Sequence, residues 1–184
     1  MQVSWTGERV RLRPFADFAE YEPVYAATFS ESTEFWGHQR CPLDKERQRF
    51  EATGAVDDFR GQLAVERMDD GLVLGSMSYV LYRNGLAANI GTFIRTPHRA
   101  RGFGVEGKRL LIGYLYQTRP LERIEAITLT HHRAARRSVE LAGMRREYIR
   151  RRCTFSQGRW ASWVTYVLFR EEWEQWPEDH RSKL

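Results

Sequence analysis

The sequence predicts a single α/β domain, residues 1–184, in which helices cover both faces of a twisted, mixed but mostly antiparallel sheet of about seven strands. Three observations predict this fold class. Strand patterns follow one another across turn sequences up to residue 95, strand and helix patterns alternate from there to residue 142, and a hairpin pattern follows. The length suffices for a core of its own, and no repeat, low-complexity segment or long linker divides the chain.

The first elements of the chain are a strand and two helices. Val10 and Leu12 alternate with arginines, which is the period-two pattern of a half-buried strand. Asp17 is placed to cap the first helix, and Gly54 follows the second. The predicted bounds are residues 9–14 for the strand, 17–27 for the first helix, 28–42 for a loop rich in aromatic and acidic residues, and 44–53 for the second helix.

The middle of the chain is typical of an antiparallel meander. The sequences Asp69-Asp70-Gly71 and Asn84-Gly85 supply residues that adopt positive φ angles, as tight hairpin turns require. They separate three segments of strand composition, at residues 62–68, 72–82 and 86–95.

The part of the chain after residue 95 begins with a glycine-rich stretch that leads from a strand into a helix. A short buried strand and a second helix come next, and Gly143 ends that helix. A turn at residues 156–158 joins the two strands of the final hairpin. The predicted bounds are 104–117 and 134–142 for the helices, 124–129 for the strand between them, and 144–155 and 159–169 for the hairpin.

The composition is that of an ordinary soluble globular protein. Hydrophobic residues make up 42% and charged residues 29%, which argues against intrinsic disorder. No apolar run approaches the ~18 residues that span a bilayer, and the polar N-terminus lacks the order of a signal peptide. Cys41 and Cys153 lie far apart, outside any metal-binding spacing, so neither a disulfide framework nor a metal site is predicted. We therefore expect a cytoplasmic protein with no membrane partner.

The chain has a net charge of +5, and its arginines are concentrated in one segment, residues 133–152. This density predicts attraction to phosphate, whether in a phosphorylated cofactor, in nucleic acid or in an acidic partner. A solvated arginine-rich face is an equally good interpretation. The eight arginines between residues 133 and 152 are Arg133, Arg136, Arg137, Arg145, Arg146, Arg150, Arg151 and Arg152.

The segment of residues 99–104 lies directly between a predicted strand and a predicted helix. Gly102 and Gly104 allow the backbone to curl so that successive amides point into one concave space. The helix adds unpaired N-terminal amides and the positive end of its dipole, and Arg99 and Arg101 add full charges. These features predict a site for a diphosphate. A tight turn is the alternative that the glycines alone leave open.

This segment and several others resemble the GNAT superfamily of acetyltransferases. Arg99-x-x-Gly102-x-Gly104 matches the family signature, in which Gln or Arg, Gly, and Gly or Ala stand at these three positions. The continuation to Gly107 resembles the Rim-type branch, the ribosomal-protein N-terminal acetyltransferases. A Rossmann dinucleotide site fits poorly, because no mononucleotide-type βαβ pattern surrounds the glycines. The similarity extends over about residues 5–173 and includes segments 6–14, 88–94, 132–144 and 163–173.

The resemblance implies an N-acyltransferase with acetyl-CoA, or another acyl-CoA, as its co-substrate. In this family the pyrophosphate lies on the loop, and the pantetheine arm pairs with the fourth strand. An amine attacks the thioester directly, while a backbone N–H near Phe93 or Ile94 would stabilise the oxyanion. The implied cofactor-binding residues are Thr92, Phe93, Ile94, Arg99, Ala100, Arg101, Gly102, Phe103, Gly104, Val105, His132 and Arg136.

The resemblance fails at the residues that exchange protons. The Rim-type branch commonly has Glu before the Ile-Gly of its fourth strand, where this chain has Asn89. Val139 stands where other members carry an acidic tyrosine, and His132 and Ala135 replace the Asn and Ser of the helix motif. Proton transfer through water, substitute residues and a loss of catalysis are the alternatives. The candidate catalytic residues by motif position are Asn89, His132 with its neighbour His131, and Tyr148.

The expected acceptor is a primary amine of a small molecule or of a peptide N-terminus. In this fold the loop of residues 30–42 covers the substrate side. Two other functions stay open: a catalytically silent domain that binds acyl-CoA, and an RNA- or ribosome-associated factor that uses the arginines of residues 133–152, with nucleic acid the less favoured partner. A homodimer is compatible with the sequence. The candidate substrate-binding residues, two acids and two aromatics, are Glu31, Glu34, Phe35 and Trp36.

Overall fold

The structure, a computed structural model, describes residues 4–31 and 42–177. Within these residues one sheet holds eight strands in the order β1-β2-β3-β4-β5-β6-β8-β7, so the predicted fold class is confirmed with one strand more than expected. The strands are β1 (Trp5–Thr6), β2 (Val10–Arg13), β3 (Arg60–Arg67), β4 (Val73–Tyr82), β5 (Ala87–Ile94), β6 (Arg123–Leu129), β7 (Arg145–Ser156) and β8 (Arg159–Phe169). The helices are α1 (Phe18–Ser30), α2 (Leu43–Thr53), α3 (Phe103–Thr118), α4 (Arg133–Leu141) and α5 (Arg170–Glu174), with a 3₁₀ turn at Thr96–His98.

Helices cover both faces of the sheet, as predicted. On one face, named the α1 face below, Tyr21 of α1 and Phe50 of α2 pack with Phe93 of β5. On the opposite face, named the α3 face, Leu111 of α3 packs in the larger core with Met77 of β4. Each face thus buries the apolar side of the helices laid upon it.

The predicted cap and turn residues have the expected conformations. The Asp17 carboxylate accepts the Glu20 amide at 2.9 Å, which caps α1. Strands β3, β4 and β5 pair antiparallel in chain order. Gly71 (φ 73°) lies in the first connecting turn, and Asn84 (φ 56°) and Gly85 (φ 82°) lie in the second. The predicted meander is therefore confirmed.

The two ends of the sheet differ from the prediction. The two-residue strand β1 was missed, because a segment this short has no readable period. The last strand ends at Phe169, so Trp173 belongs to α5 and not to the strand that the resemblance implied. The Glu172 carboxylate accepts the Phe169 amide at 2.8 Å and turns the chain into the helix. Among the described residues, no helix is both long and apolar enough to cross a membrane.

One pair of neighbouring strands is parallel and separates part-way along its length. Strands β5 and β6 pair from Ala87 opposite Arg123 to Asn89 opposite Glu125. Both strands continue further, to Ile94 and to residue 129, without pairing to each other. This opening, formed by residues 90–94 and 126–129, is named the β5–β6 gap.

Candidate active site

The loop of residues 99–104 leads from the end of β5 to the start of α3. Ala100 (φ 59°) and Gly102 (φ 85°) adopt left-handed conformations that curl the backbone. No side chain caps α3, and its first backbone hydrogen bonds run from the Val105 and Glu106 amides to the Gly102 carbonyl. The amides that precede these bonds, of Phe103 and Gly104, point out of the helix end and suit an anion.

Arg9, the residue directly before β2, holds this loop and the start of α3 in place through its side chain. Its Nη1 donates to the Arg101 carbonyl at 3.0 Å, and its Nε pairs with the Glu106 carboxylate at 3.0 Å. Glu106 also accepts the Arg9 amide at 2.7 Å. A methyl group on Gly102 would lie 2.9 Å from the Arg9 guanidinium, so this position requires glycine for space as well as for its φ angle. The sequence prediction missed this anchor, since nothing in the chain pattern links residues 97 positions apart.

Gly104 faces the open end of the β5–β6 gap. A methyl group there would lie 3.4 Å from Ile94 Cγ1, 3.6 Å from Thr92 Cγ2 and 3.9 Å from Ser138 Oγ. The space beside Gly104 is therefore bordered by β5 and α4. The loop lies next to the open end of the gap, an arrangement that suits a diphosphate that continues into an extended arm. The structure thus brings the predicted residues Thr92, Ile94 and Gly104 together.

The edge of β5 that faces the gap is set by its pairing with β4. The Arg95 amide donates to the Leu74 carbonyl of β4 at 2.9 Å. Because successive amides of a strand alternate between its two edges, those of Thr92 and Ile94 point toward β6. The Phe93 amide points to β4, and its side chain packs on the α1 face. The backbone amides of Phe93 and Ile94 were the two expected near the thioester. Only that of Ile94 lies on the edge of β5 that faces the gap.

Two predicted ligand-binding residues stabilise the start of the loop. The Glu31 carboxylate accepts the Thr96 amide at 2.5 Å and its hydroxyl at 2.8 Å, and it lies 3.7 Å from both Arg95 and Arg99. Burial acts to raise the pKa of Glu31, but the Thr96 hydrogen bonds and the two arginines outweigh it and lower this pKa. Arg99 also donates from Nε to the Ile94 carbonyl at 2.7 Å. Glu31 is thus held by the loop itself and does not reach out to an acceptor. Glu34, Phe35 and Trp36 lie outside the described residues.

His132 and Arg136 both hold the start of α4. His132 is the N-cap, with Nδ1 accepting the Ala135 amide at 3.3 Å. Arg136 donates from Nε to the Tyr166 hydroxyl at 3.1 Å and from Nη1 to the Thr130 carbonyl at 2.9 Å. These bonds give Arg136 a structural role, and its contact with a 3′-phosphate stays a prediction.

Asn89 lies where β5 and β6 begin to separate, on the α1 face. Its Nδ2 is buried and has no hydrogen-bond partner among the described residues. Tyr148 lies on the edge strand β7, three strands from β5 and so roughly 14 Å away at the usual strand spacing. Its side chain is 44% exposed. The structure does not bring Tyr148 together with Asn89, because β6 and β8 lie between them.

A buried carboxylate beside Asn89 was missed by the sequence prediction. Glu125 lies opposite Asn89 in the parallel register, and its side chain is on the same face. It is 6% exposed and lies 2.8 Å from Arg123 Nε. Arg123 also pairs with Glu147, so two carboxylates share one guanidinium and one negative charge is in excess. A charged residue at the centre of a strand predicted as buried was the signal available in the sequence.

We name Asn89, Arg123, Glu125 and Glu147 the apex cluster, since they meet where the gap begins. The hydroxyl of Tyr82 also lies in this region. Burial raises its pKa, and the negative charge of Glu125 raises it further. Tyr82 therefore stays neutral at physiological pH and leaves the charge of the cluster unchanged.

The match to a family model agrees with this geometry. Residues 9–145 match the model described as an acetyltransferase (GNAT) domain, well over half of the chain. The chain belongs to the GNAT acetyltransferase family. The matched range of this GNAT protein includes the loop, both strands of the gap and the whole apex cluster except Glu147.

Two relatives of this GNAT protein come from Bacillus subtilis (strain 168). The chain is 29% identical over 108 residues to "Probable N-acetyltransferase YjcK", an alignment that covers 58% of this chain and 60% of that relative. It is 21% identical over 168 residues to "Uncharacterized N-acetyltransferase YnaD", with 91% and 98% covered. The chain therefore spans about three fifths of the length of the first relative and almost all of the second.

Three solved structures are similar to this GNAT protein in fold, each with a TM-score of 0.79. A GNAT-family acetyltransferase from Bacillus anthracis is 20% identical, with 92% of this chain and 100% of that chain covered. The RimL ribosomal L7/L12 α-N-protein acetyltransferase in complex with coenzyme A is 11% identical, with 92% and 99% covered. The spermidine N-acetyltransferase from Vibrio cholerae, in complex with CoA and spermine, is 14% identical, with 90% and 98% covered.

Proposed function

We propose that this GNAT protein transfers an acetyl group, or another short acyl group, from acyl-CoA to a primary amine by direct attack. The observation that most directly supports this is the position of the loop at residues 99–104 next to the open end of the β5–β6 gap. The loop offers outward-facing amides for a diphosphate, and the gap offers an unpaired strand edge for an extended arm. Coenzyme A has this chemistry, a diphosphate joined to an arm that contains amide groups.

The chain supplies backbone groups at each point along the proposed cofactor. The amides of Phe103 and Gly104 would bind the diphosphate, with Arg101 adding charge. The amides of Thr92 and Ile94 would pair with the arm, whose thioester would lie further along β5 toward the apex cluster. The bound acyl-CoA would supply a thioester carbonyl that is activated for attack by an amine.

The acceptor amine would approach on the α1 face, where the gap begins. The excess negative charge of the apex cluster attracts an ammonium group, and Asn89 offers an unsatisfied amide donor to a carbonyl oxygen. Two of the similar structures are named for a polyamine and for the α-amino group of a ribosomal protein. We propose an acceptor in this range, a small-molecule amine or a peptide N-terminus, and include membership of the Rim-type branch in the proposal.

Substitution of Gly104 tests the cofactor site. Gly104→Glu would place a carboxylate in the space walled by Thr92, Ile94 and Ser138, where it would repel the diphosphate and occupy the loop amides. We expect acetyl-CoA affinity to fall at least about 100-fold in calorimetric titration, since like charges in such a site cost several kcal/mol. The melting temperature should change little, because acidic residues suit a helix N-terminus.

Gly104→Ala is the matched control for this experiment. Its methyl group would make ordinary contacts of 3.4 to 3.9 Å, so acetyl-CoA affinity should stay within about threefold of wild type. Equal acetyl-CoA affinity in wild type and Gly104→Glu would overturn the assignment of the loop.

A catalytically silent acyl-CoA-binding domain is the second candidate, favoured by Asn89 and Val139 at positions where an acid or a tyrosine is expected. Release of free thiol from acetyl-CoA separates the two functions. We expect amine-dependent release with spermidine or with a peptide that has a free N-terminus. Tight acetyl-CoA binding without any release across both acceptor classes would favour the silent domain.

A further inference from the structure

A lysine side chain is buried beneath the diphosphate loop. Lys108 lies on α3, one turn after Gly104, and is only 5% exposed. Its Nζ donates to Ser138 Oγ at 2.9 Å and to the Gly104 carbonyl at 3.4 Å. Because side chains on a helix lean toward its N-terminus, the ammonium group lies on the side of the loop.

The charge of Lys108 is not neutralised by the protein. Among the described residues its hydrogen-bond partners are two neutral oxygens, and none of the ion pairs includes it. Burial alone lowers the pKa of Lys108 to about 8. Buried charges in proteins are normally paired or bind a ligand, since an unpaired charge in a low-dielectric interior is costly. An anion bound beside Lys108 would supply the missing charge.

Ser138 connects Lys108 to the space beside Gly104, where the cofactor would lie. Its Oγ accepts from the lysine and borders the same space beside Gly104 that Thr92 and Ile94 enclose. A hydroxyl that accepts one hydrogen bond still has its own proton to donate. Ser138 is therefore placed to donate to a ligand while it holds the ammonium group.

We propose that Lys108 is the buried counter-charge for the diphosphate of acyl-CoA, with Ser138 as the link to the ligand, so that cofactor binding is coupled to proton uptake by Lys108. This inference rests on the proposed binding of acyl-CoA at the loop. The bound dianion favours the charged form of the lysine. The free protein releases the proton more easily, because water is excluded from the ammonium group.

Other charged groups on the surrounding elements do not account for such uptake. The other basic side chains of the loop and of α4 are arginines, a residue type that does not release its proton in proteins. Glu106 on α3 is already in an ion pair. Burial, together with nearby arginines, lowers the pKa of His98 below its ordinary 6.5, so this histidine is neutral at pH 8.5. Lys108 is therefore the group expected to change its protonation when acetyl-CoA binds at pH 8.5.

Calorimetric titration with acetyl-CoA at pH 8.5, in buffers of different ionisation enthalpy, measures the proton uptake directly. We expect wild type to take up about half a proton per acetyl-CoA bound, because a lysine of pKa near 8 is mostly neutral before binding. Lys108→Met should take up none. Its acetyl-CoA affinity at pH 7 should be about tenfold lower, and unlike that of wild type it should not weaken between pH 7 and 9.

Arg109→Met is the matched control, since it removes one cation from the same helix at a position whose guanidinium donates to the Leu141 carbonyl. It should keep both the proton uptake and the affinity. Ser138→Ala should keep the uptake and lower the affinity by a few-fold. Acetyl-CoA binding by wild type without proton uptake at pH 8.5 would refute the role of Lys108 and leave the proposed function intact. A wild type that does not bind acetyl-CoA would refute both.

Discussion

The two ends of the β5–β6 gap carry charges of opposite sign, on opposite faces of the sheet. On the α3 face, Lys108 is buried beside Gly104 with neutral partners. On the α1 face, Glu125 and Glu147 share the single guanidinium of Arg123. Within the described residues, Lys108 therefore has no acidic partner beside the loop, and the apex cluster has one carboxylate more than its single guanidinium.

This difference matches the charges of the two proposed substrates. The acyl donor is a polyanion, and the acceptor amine is a cation until it loses a proton. Burial of the unpaired charge of Lys108 opposes folding, so its position is not explained by stability. A sheet that opens along one strand pair lets the donor bind from one side and the acceptor from the other, each against a charge of opposite sign.

Removal of the excess negative charge at the apex cluster should give the largest effect on activity. In Glu125→Gln the apex cluster becomes neutral while Arg123 keeps its pair with Glu147. We expect kcat/KM for the amine to fall about 10- to 100-fold, the usual effect of losing one charged contact to a substrate. The Kd for acetyl-CoA should stay the same, because the cofactor loop lies at the other end of the gap. Steady-state kinetics with spermidine and calorimetry with acetyl-CoA measure the two quantities.

Glu172→Gln is the control for Glu125→Gln. It also removes a carboxylate that pairs with an arginine, Arg145, but on α5 and away from the gap. Its kcat/KM should match that of wild type. An equal loss of activity in both variants would mean that net charge, and not the position of Glu125, controls the reaction.

Removal of the buried positive charge of Lys108 should alter the pH dependence of the protein's stability. The pKa of Lys108 is about 8 in the folded protein, against 10.5 for a free lysine. Between these values the unfolded chain binds a proton that the folded chain does not, so this residue makes the free energy of unfolding rise with pH. The rise is on the order of 3 kcal/mol across the window. Below pH 8 the cost of burying the charge is fully present.

We therefore expect Lys108→Met to be more stable than wild type at pH 7, by about 1–2 kcal/mol after the loss of its hydrogen bond to Ser138. The difference should vanish or reverse near pH 10.5. Urea unfolding of both proteins at several pH values measures it. A difference in unfolding free energy that does not change with pH would show that folding leaves the pKa of Lys108 unshifted, and would contradict a buried, unpaired ammonium group.

The sequence predicts the cofactor side of this site better than the acceptor side. The loop at residues 99–104 is made by local backbone, so Gly102 and Gly104 between a strand and a helix are enough to predict its place in the chain. The Asp17 cap and the turns at Gly71 and Gly85 are local in the same sense.

The acceptor side depends on pairing between distant segments. Glu125 lies beside Asn89 only because β6 pairs parallel to β5 in one register. On the cofactor side, Lys108 likewise meets Ser138 only because α4 packs on α3. The motif grouped Tyr148 with Asn89, but β6 and β8 lie between their strands. Such neighbours follow from sheet order and helix packing, which no local pattern encodes.

The smallest effect is expected from the arginines of β7. Arg150, Arg151 and Arg152 are exposed on an edge strand, where charged side chains prevent pairing with another sheet edge. Their joint replacement by Gln would lower the net charge from +5 to +2. Because β7 lies three strands from β5, acetyl-CoA affinity should stay within about twofold. RNA binding by wild type should be weak at 150 mM salt and fall steeply as salt rises, as expected of a non-specific contact. Tight RNA binding that survives 200 mM salt and disappears in the triple variant would instead favour a ribosome-associated role for this edge.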